Sequence, residues 1–335
     1  MKKPRVIFVE RKASGAVSVE RVFRQIAQDL PSESFDVDFQ QVPYGNGIVA
    51  ILKNLLFFRP KPADIYHITG DVQYISLRLP GKRTVMTIHD IISLHQRSGL
   101  RRYIIKKLYF DLPFRRLRFM TTISNKVRDE IAVETRVSAD SVRVIPNPLI
   151  GELIGNDRKP FNAACPVILH IGTAKNKNLD RLIDAIAGID CKLRIVGRLD
   201  TAIIRKLELS SIIYENVCEL DDVQMKQEYL NADIMAFCST YEGFGLPIIE
   251  AQAMRVPVVT SDLAPMNSVA GDAAVLVDPF DPANIRAGIL SVIRDSSLRD
   301  DLDRRGLENI KRFEGSAIAA QYAELYRQVS GESNS

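Results

Sequence analysis

The chain has 335 residues, 46% apolar and 26% charged, which suits two soluble domains at roughly 100–200 residues each and excludes a disulfide-stapled peptide, wholesale disorder and a multi-span membrane protein. The net charge of +4 hides a division: residues 1–150 hold 25 Lys and Arg against 14 Asp and Glu, and the remainder 20 against 27, so the halves carry +11 and −7. A dipolar chain of this kind presents its first half to something anionic, such as a phosphorylated acceptor or a membrane surface. Nucleic acid is not the expected partner, because the basic residues concentrate in one stretch without interleaved aromatic platforms or finger spacings.

The chain opens on MKKPRVIFVERK, whose four-residue apolar run is too short for a signal peptide and reads as a cytoplasmic first strand. From there short β-branched runs alternate with stretches of helical period, the pattern of βα units in parallel sheets. The predicted strands of the first half are 5–10, 34–42, 63–68, 84–89, 119–124 and 142–145; those of the second are 166–172, 191–197, 211–214, 232–238, 256–261 and 273–277. Between the halves, PNPLIGELIGNDRKP (146–160) breaks all periodicity and reads as a linker. The expected organisation is an N-terminal domain over 1–150, a C-terminal domain over 151–312, and a closing amphipathic helix and tail over 313–335 with its stripe at Ile318, Ala319, Tyr322, Leu325 and Tyr326. Cys165, Cys191, Cys218 and Cys238 are too widely spaced for a zinc site or a redox motif and are expected to be buried free thiols.

The strongest local signal is CSTYEGFGLPIIE (238–250), directly after a buried-type strand. Gly243 and Gly245 permit close backbone approach and Pro247 suits a first helical turn, so free amides there face a phosphate or sugar above the strand ends. Glu242 before the loop and Glu250 one turn into the helix are placed to hydrogen-bond hydroxyls on either side of a diphosphate. The bland alternative is a glycine-rich turn with two solvated glutamates.

The string YEGFGLPIIE resembles the E-x7-E signature of retaining glycosyltransferases of family 4, which have the GT-B fold of two Rossmann-like, doubly wound α/β domains facing across a cleft. SGAVSVERVF, HITGD, TIHD, TTIS, VIPNP, HIGTAKNKNLDRLIDAI and AGDAAVLVDP are similar to family segments in family order. The resemblance implies a donor-binding second domain, an acceptor-binding first domain, and a closing helix that packs back toward the first. It implies that Glu250 grips the donor ribose, Glu242 contacts the donor sugar near the reacting carbon, and amides of Gly243, Phe244, Gly245 and Leu246 hold sugar and diphosphate. Lys177 matches a lysine that neutralises the leaving diphosphate, beside Gly172. A second basic residue is usual before that lysine; Thr173 stands there, so Lys175 or Arg198 serves instead. In the first half the resemblance makes His89 the histidine that reaches the donor sugar, and puts Gly15, Thr69, Gly70 and Asp71 on the acceptor side. Arg255 and Ser268 depart from the family's usual glycine and glutamate.

The implied reaction moves a hexose from a UDP- or GDP-type sugar to a glycan, lipid-linked or phosphorylated acceptor, in bacterial polysaccharide or glycolipid synthesis, with retention and with neither cofactor nor metal. Asp36 and Asp38 spell a D-x-D metal motif, but they alternate with Phe35, Val37 and Phe39 on one strand face rather than in a loop beside a diphosphate. Two rivals are an epimerase of similar fold and a catalytically silent partner of another transferase. Finally, Arg97–Arg118 carries eight basic residues and one acidic residue among Leu100, Tyr103, Ile104, Leu108 and Phe110. It is either a solvated helix face or a dock for anionic lipid, which would make the protein peripheral on the inner face of the cytoplasmic membrane.

Overall fold

Runs such as VIFV, IYHI and VMTI carry apolar side chains on both strand faces, which suits only strands covered by helices on both sides of a parallel sheet. The computed structural model describes residues 3–12, 18–45, 47–95, 97–151 and 159–333 and forms two such sheets. The chain divides into one unit made of Met1–Ile150 with Glu314–Ser335, and a second of Gly151–Phe313. The centre of the expected linker, 152–158, lies outside the described residues.

The first unit holds β1 (Arg5–Glu10), β2 (Asp36–Gln41), β3 (Ile65–Ile68), β4 (Thr84–Ile88), β5 (Phe119–Thr122) and β6 (Val142–Val144) in the order β2-β1-β3-β4-β5-β6, all parallel. The chain reverses direction across the sheet between β1 and β3, so the crevice above their carboxyl ends is where this topology receives ligands. The helix Gly315–Ser333 belongs to this unit and buries Ile318, Ala319, Tyr322, Leu325 and Tyr326. Polar bonds fix its register: buried His67 meets the Tyr326 hydroxyl at 2.7 Å through Nδ1 and Thr87 Oγ1 at 2.7 Å through Nε2. Burial pushes the His67 pKa down to about 3, so the ring stays neutral.

The second unit holds β7 (Val167–Ile171), β8 (Lys192–Val196), β9 (Ile213–Val217), β10 (Ile234–Phe237), β11 (Val258–Ser261) and β12 (Val275–Val277) in the order β12-β11-β10-β7-β8-β9. Numbered from its own first strand this is 3-2-1-4-5-6, the dinucleotide-binding order, and its reversal lies between β7 and β10. β9 starts later than expected. It is an edge strand whose residues are mostly exposed, and Glu215 and Asn216 interrupt the apolar signal.

Two expectations about cysteine are corrected. Cys191 and Cys238 are buried, but Cys218 is exposed just beyond the edge strand β9, and Cys165 is only half-buried in the turn before β7. Asp38, of the D-x-D string, sits on edge strand β2 with ion pairs to Lys61 at 2.9 Å and Arg5 at 3.0 Å; the Lys61 bond holds its carboxyl below the usual range.

Candidate active site

At the reversal of the second unit, two loops leave adjacent strands β7 and β10 and are tied together by side chains. The turn after β7 begins at Gly172, whose φ of +91° belongs to the left-handed half of conformational space. A Cβ there would stand 2.9 Å from both Cγ and Cε of Lys177, so the lysine stem lies over the glycine. Any other residue at 172 would push the ammonium out of place. Lys177 Nζ reaches Glu242 Oε1 at 2.7 Å and sits 4.8 Å from the centre of the Phe237 ring. The same ring lies 3.7 Å from where a Cβ on Gly245 would be. Phe237 at the end of β10 is therefore the floor on which the cation and the glycine loop both rest.

Asparagines hold this arrangement. The Asn176 side chain donates to the Tyr241 carbonyl at 2.9 Å, and its backbone carbonyl accepts from the Thr240 amide at 2.8 Å. Buried Asn178, at φ +64°, donates to the carbonyls of Cys238 at 2.9 Å and Pro279 at 2.7 Å. Asparagine tolerates that backbone better than most side chains and satisfies two otherwise orphaned carbonyls. The helix Leu246–Ala253 then starts at Gly245 (φ +114°) with Pro247 in its first turn and no side chain capping it. Its first amides and its dipole present partial positive charge. Phe244 turns its ring inward against Phe313 at 5.6 Å, which leaves its backbone to shape the loop.

Glu250, one turn on, accepts a 2.6 Å bond from the hydroxyl of buried Tyr229, which fixes the carboxylate. Thr173 donates its hydroxyl to the Arg198 carbonyl at 2.6 Å and packs under Gly197, where a Cβ would meet its methyl at 2.9 Å. The two candidates for a second cation differ from Lys177: the Arg198 guanidinium is 78% exposed and paired with Glu219, and Lys175 is exposed in the turn Lys175–Lys177. Arg255 adopts φ +60°, which explains why a glycine is at home there, and answers the strain with a two-pronged pair to Asp303 at 2.6 and 3.0 Å.

The reversal of the first unit carries the other candidates. Gly15 lies outside the described residues. Thr69 is buried at the end of β3, with its amide bonded to the Val9 carbonyl at 3.1 Å. A Cβ on Gly70 would stand 3.3 Å from the Arg11 amide nitrogen, so the loops after β1 and β3 touch there. Arg11 pairs with Glu20 at 2.7 Å and reaches Asp71 at 3.5 Å. His89, at the end of β4, donates from Nε2 to the Thr69 carbonyl at 2.9 Å, because a carbonyl can only accept. Nδ1 is then the unprotonated, accepting nitrogen, and burial lowers the ring's pKa and keeps it neutral.

Residues that sequence reasoning missed complete this region. Glu10 is buried at the end of β1 and pairs with Arg24 at 2.9 Å, and burial raises its pKa. Asp90, directly after His89, has its carboxyl pushed up by burial and by Asp71. Asp71 and Asp90 line a cavity of about 490 Å³ together with Gln73, Tyr109, Arg97 and Arg101. Buried Gln73 keeps an Oε1 with no protein partner among the described residues. The adjacency of Asp90 to His89 at a strand's carboxyl end was the one available signal; the others converge only on folding.

Comparisons with known proteins give the family and the fold. The family described as "Glycosyl transferases group 1" matches residues 156–309, the second unit almost entire. The chain is 30% identical over 292 residues to the O-antigen chain mannosyltransferase B of Escherichia coli, covering 78% of this chain and 74% of the relative. It is 26% identical to the MMP alpha-(1->4)-mannosyltransferase of Mycolicibacterium hassiacum over 88% of this chain and 71% of that one. Among solved structures, the sucrose-phosphate synthase of Thermosynechococcus elongatus superimposes with a TM-score of 0.78 at 17% identity over 99% of this chain and 100% of its own. Anabaena Alr3699/HepE in complex with UDP-glucose gives 0.74 at 16% over 97% and 100%. At such identities the structural likeness shows the fold, which is GT-B. The mannosyltransferase likeness, at 30% identity over three quarters of both chains, shows more: this chain belongs to the group 1 glycosyl transferases.

Proposed function

We propose that the protein is a retaining, metal-independent glycosyltransferase that moves a hexose from a UDP- or GDP-type sugar to a glycan, lipid-linked or phosphorylated acceptor in bacterial polysaccharide or glycolipid synthesis. The observation that carries this reading is the Lys177 ammonium, laid over Gly172 and on the same Phe237 ring as the uncapped helix start at Gly245. A departing nucleoside diphosphate develops negative charge on its phosphate oxygens, and a fixed ammonium beside the first turn of a helix meets that charge without a metal ion. Tyr229 holds the Glu250 carboxylate for a ribose diol. Glu242 anchors Lys177 until a diphosphate takes the ammonium, which turns the carboxylate toward the sugar hydroxyls. Neutral His89 offers an accepting Nδ1 to a donor hydroxyl, and Asp71 with Asp90 offers acceptors on the other substrate's side.

The mannosyltransferase relatives make a mannosyl donor the first to test, and a glucosyl donor the second, since Anabaena Alr3699/HepE holds UDP-glucose. The basic first half favours an acceptor bearing phosphate, met at the inner face of the cytoplasmic membrane; no helix among the described residues is long and apolar enough to cross a membrane. The test is the product. NMR should show the donor's anomeric configuration preserved, in a reaction indifferent to chelator. An inverted product, or activity that chelator abolishes and Mn²⁺ restores, contradicts the reading.

A further inference from the structure

The helix Ile48–Phe57 has the sequence IVAILKNLLF, in which only Lys53 and Asn54 are polar. Its inner face buries Ile51 and Asn54, and the Asn54 amide is locked to the Tyr44 carbonyl at 3.0 Å and the Tyr74 hydroxyl at 2.8 Å. Its outer face should be charged if it met only water. Instead Ile48, Val49, Leu52, Leu56 and Phe57 are each 50–66% exposed. The helix Gly99–Ile105 adds Leu100 and Tyr103, 73% and 62% exposed. Scattered apolar residues on a surface need no explanation, but a continuous stripe on one helix does.

The two helices are neighbours, because both line the 490 Å³ cavity: Ile48 and Ile51 from one, Arg101, Ile104 and Ile105 from the other. The cations around the stripe are selective. Arg102 is committed to Glu134 at 2.7 Å, and Arg116 to the carbonyls of Ser76 and Leu79, so much of the basic stretch expected to dock is structural. Lys53 projects from the stripe itself, 5.5 Å from the centre of the Tyr44 ring, and exposed Arg97, which donates to the Ser93 carbonyl at 3.1 Å, stands with exposed Arg101 at the cavity.

We propose that this face of the first unit lies flat on an anionic lipid monolayer, with the Ile48–Phe57 stripe, Leu100 and Tyr103 entering the boundary between headgroups and acyl chains and Lys53, Arg97 and Arg101 on lipid phosphates. Apolar insertion rimmed by cations is the chemistry of an interfacial helix. A second copy of the chain is the poorer occupant: a two-fold contact through this face sets Lys53, Arg97 and Arg101 against their own equivalents. Resting on the glycosyl-transfer reading, the face also names the acceptor class, an amphiphile drawn head first from the monolayer, its phosphate to Arg97 and Arg101 and its hydroxyls to Asp71 and Asp90 at the cavity wall.

The chain contains no tryptophan, so Leu52→Trp is a single reporter on the stripe, and Leu209→Trp, at a 77% exposed position of the second unit, is its control. With vesicles of equal parts phosphatidylglycerol and phosphatidylcholine, the first should shift to the blue and be quenched by brominated acyl chains while the second does neither. Leu52→Glu with Leu56→Glu, both exposed, should weaken vesicle binding at least tenfold and leave nucleotide binding unchanged. An unmoved Leu52→Trp emission, or unweakened vesicle binding by the double variant, overturns the proposal. A dimer in sedimentation equilibrium that the double variant dissolves, without vesicle binding by the parent chain, gives the face to a second copy and overturns it too. Vesicle binding by a chain that binds no nucleoside diphosphate leaves the docking face standing and removes the glycosyl-transfer reading instead.

Discussion

The two units use six parallel strands each and reverse their strand order once, yet they finish the crevice above that reversal differently. In the second unit the loops after β7 and β10 are stapled by Asn176, Asn178 and the Lys177–Glu242 pair, each bond 3 Å or shorter. In the first unit the crevice is lined by ion pairs among Arg11, Glu20 and Asp71, by the buried carboxyl of Glu10 and the half-buried carboxyl of Asp90, and opens beside a stripe of exposed apolar side chains. A stapled crevice suits a small, highly charged ligand whose atoms must be met to within an ångström. A cavity lined by charges of both signs and bordered by apolar surface suits a larger, mixed ligand whose tail stays outside. One topology thus supports two kinds of recognition because the residues after the strands, not the strands, carry it.

The sharpest way to break this contrast is Lys177→Ala. If the second crevice meets developing charge with this ammonium, catalysis should fall about 100- to 1,000-fold, the range for losing one preorganised donor, in an assay of sugar transfer at saturating donor. Vesicle binding by the first unit should not move. A loss shared by both would mean that the units are not separable in this way.

Asn178→Ala tests the stapling itself. Two buried carbonyls lose their donor and an alanine must hold φ +64°, so the second unit should lose about 2–3 kcal/mol in denaturant unfolding. An unfolding midpoint that stays put would show the loops to be held by packing alone.

Acid should sharpen the comparison further. Burial holds His67 at about 3 and His170 at about 4, below the ordinary 6.5. The unfolded chain therefore takes up protons that the folded chain refuses as pH falls below 6.5. The stability these rings allow is complete above that value and is lost progressively toward the folded values, by about 2 kcal/mol per ring at pH 5. In the first unit the raised carboxyls of Glu10 and Asp90 act in the opposite sense, since the folded form protonates them first. His170→Phe should flatten the acid slope of the second unit alone, measured as melting temperature at pH 7 and pH 5. An unchanged slope would place the acid sensitivity elsewhere.

The smallest expected effect is that of Tyr229→Phe. Removing the hydroxyl that holds Glu250 should weaken nucleotide binding by roughly fivefold, about 1 kcal/mol, in a calorimetric titration. Equal affinity would detach Glu250 from the nucleotide.

Much of the fold was legible because buried parallel strands write themselves as β-branched runs, and all twelve expected strands exist with ends shifted by no more than three residues. The largest shift is at β9, where an exposed edge has no apolar run to read. The closing helix was legible from the spacing of Tyr322 and Tyr326, but its lock through His67 and Thr87 joins residues more than 200 positions apart and leaves no local mark. In the candidate site, Gly172, Lys177, Glu242, Gly245 and Glu250 could be singled out as candidates because backbone freedom and charge at a strand-to-helix turn are local signals. Tyr229 and Asn178 were not, since each acts on a partner 21 or more residues away. The Ile48–Phe57 helix shows the opposite limit: its composition reads as core, and only the fold reveals that half of it faces outward.

The account stands or falls on whether the second unit binds a nucleoside diphosphate through its stapled crevice. Calorimetric titration of the chain, of Lys177→Ala and of the Leu52→Glu and Leu56→Glu double variant with UDP and with GDP measures this directly. The account predicts that one of the two nucleotides binds the parent chain and the double variant alike, and binds Lys177→Ala at least tenfold more weakly. Binding of neither nucleotide, or equal binding by Lys177→Ala, would contradict it.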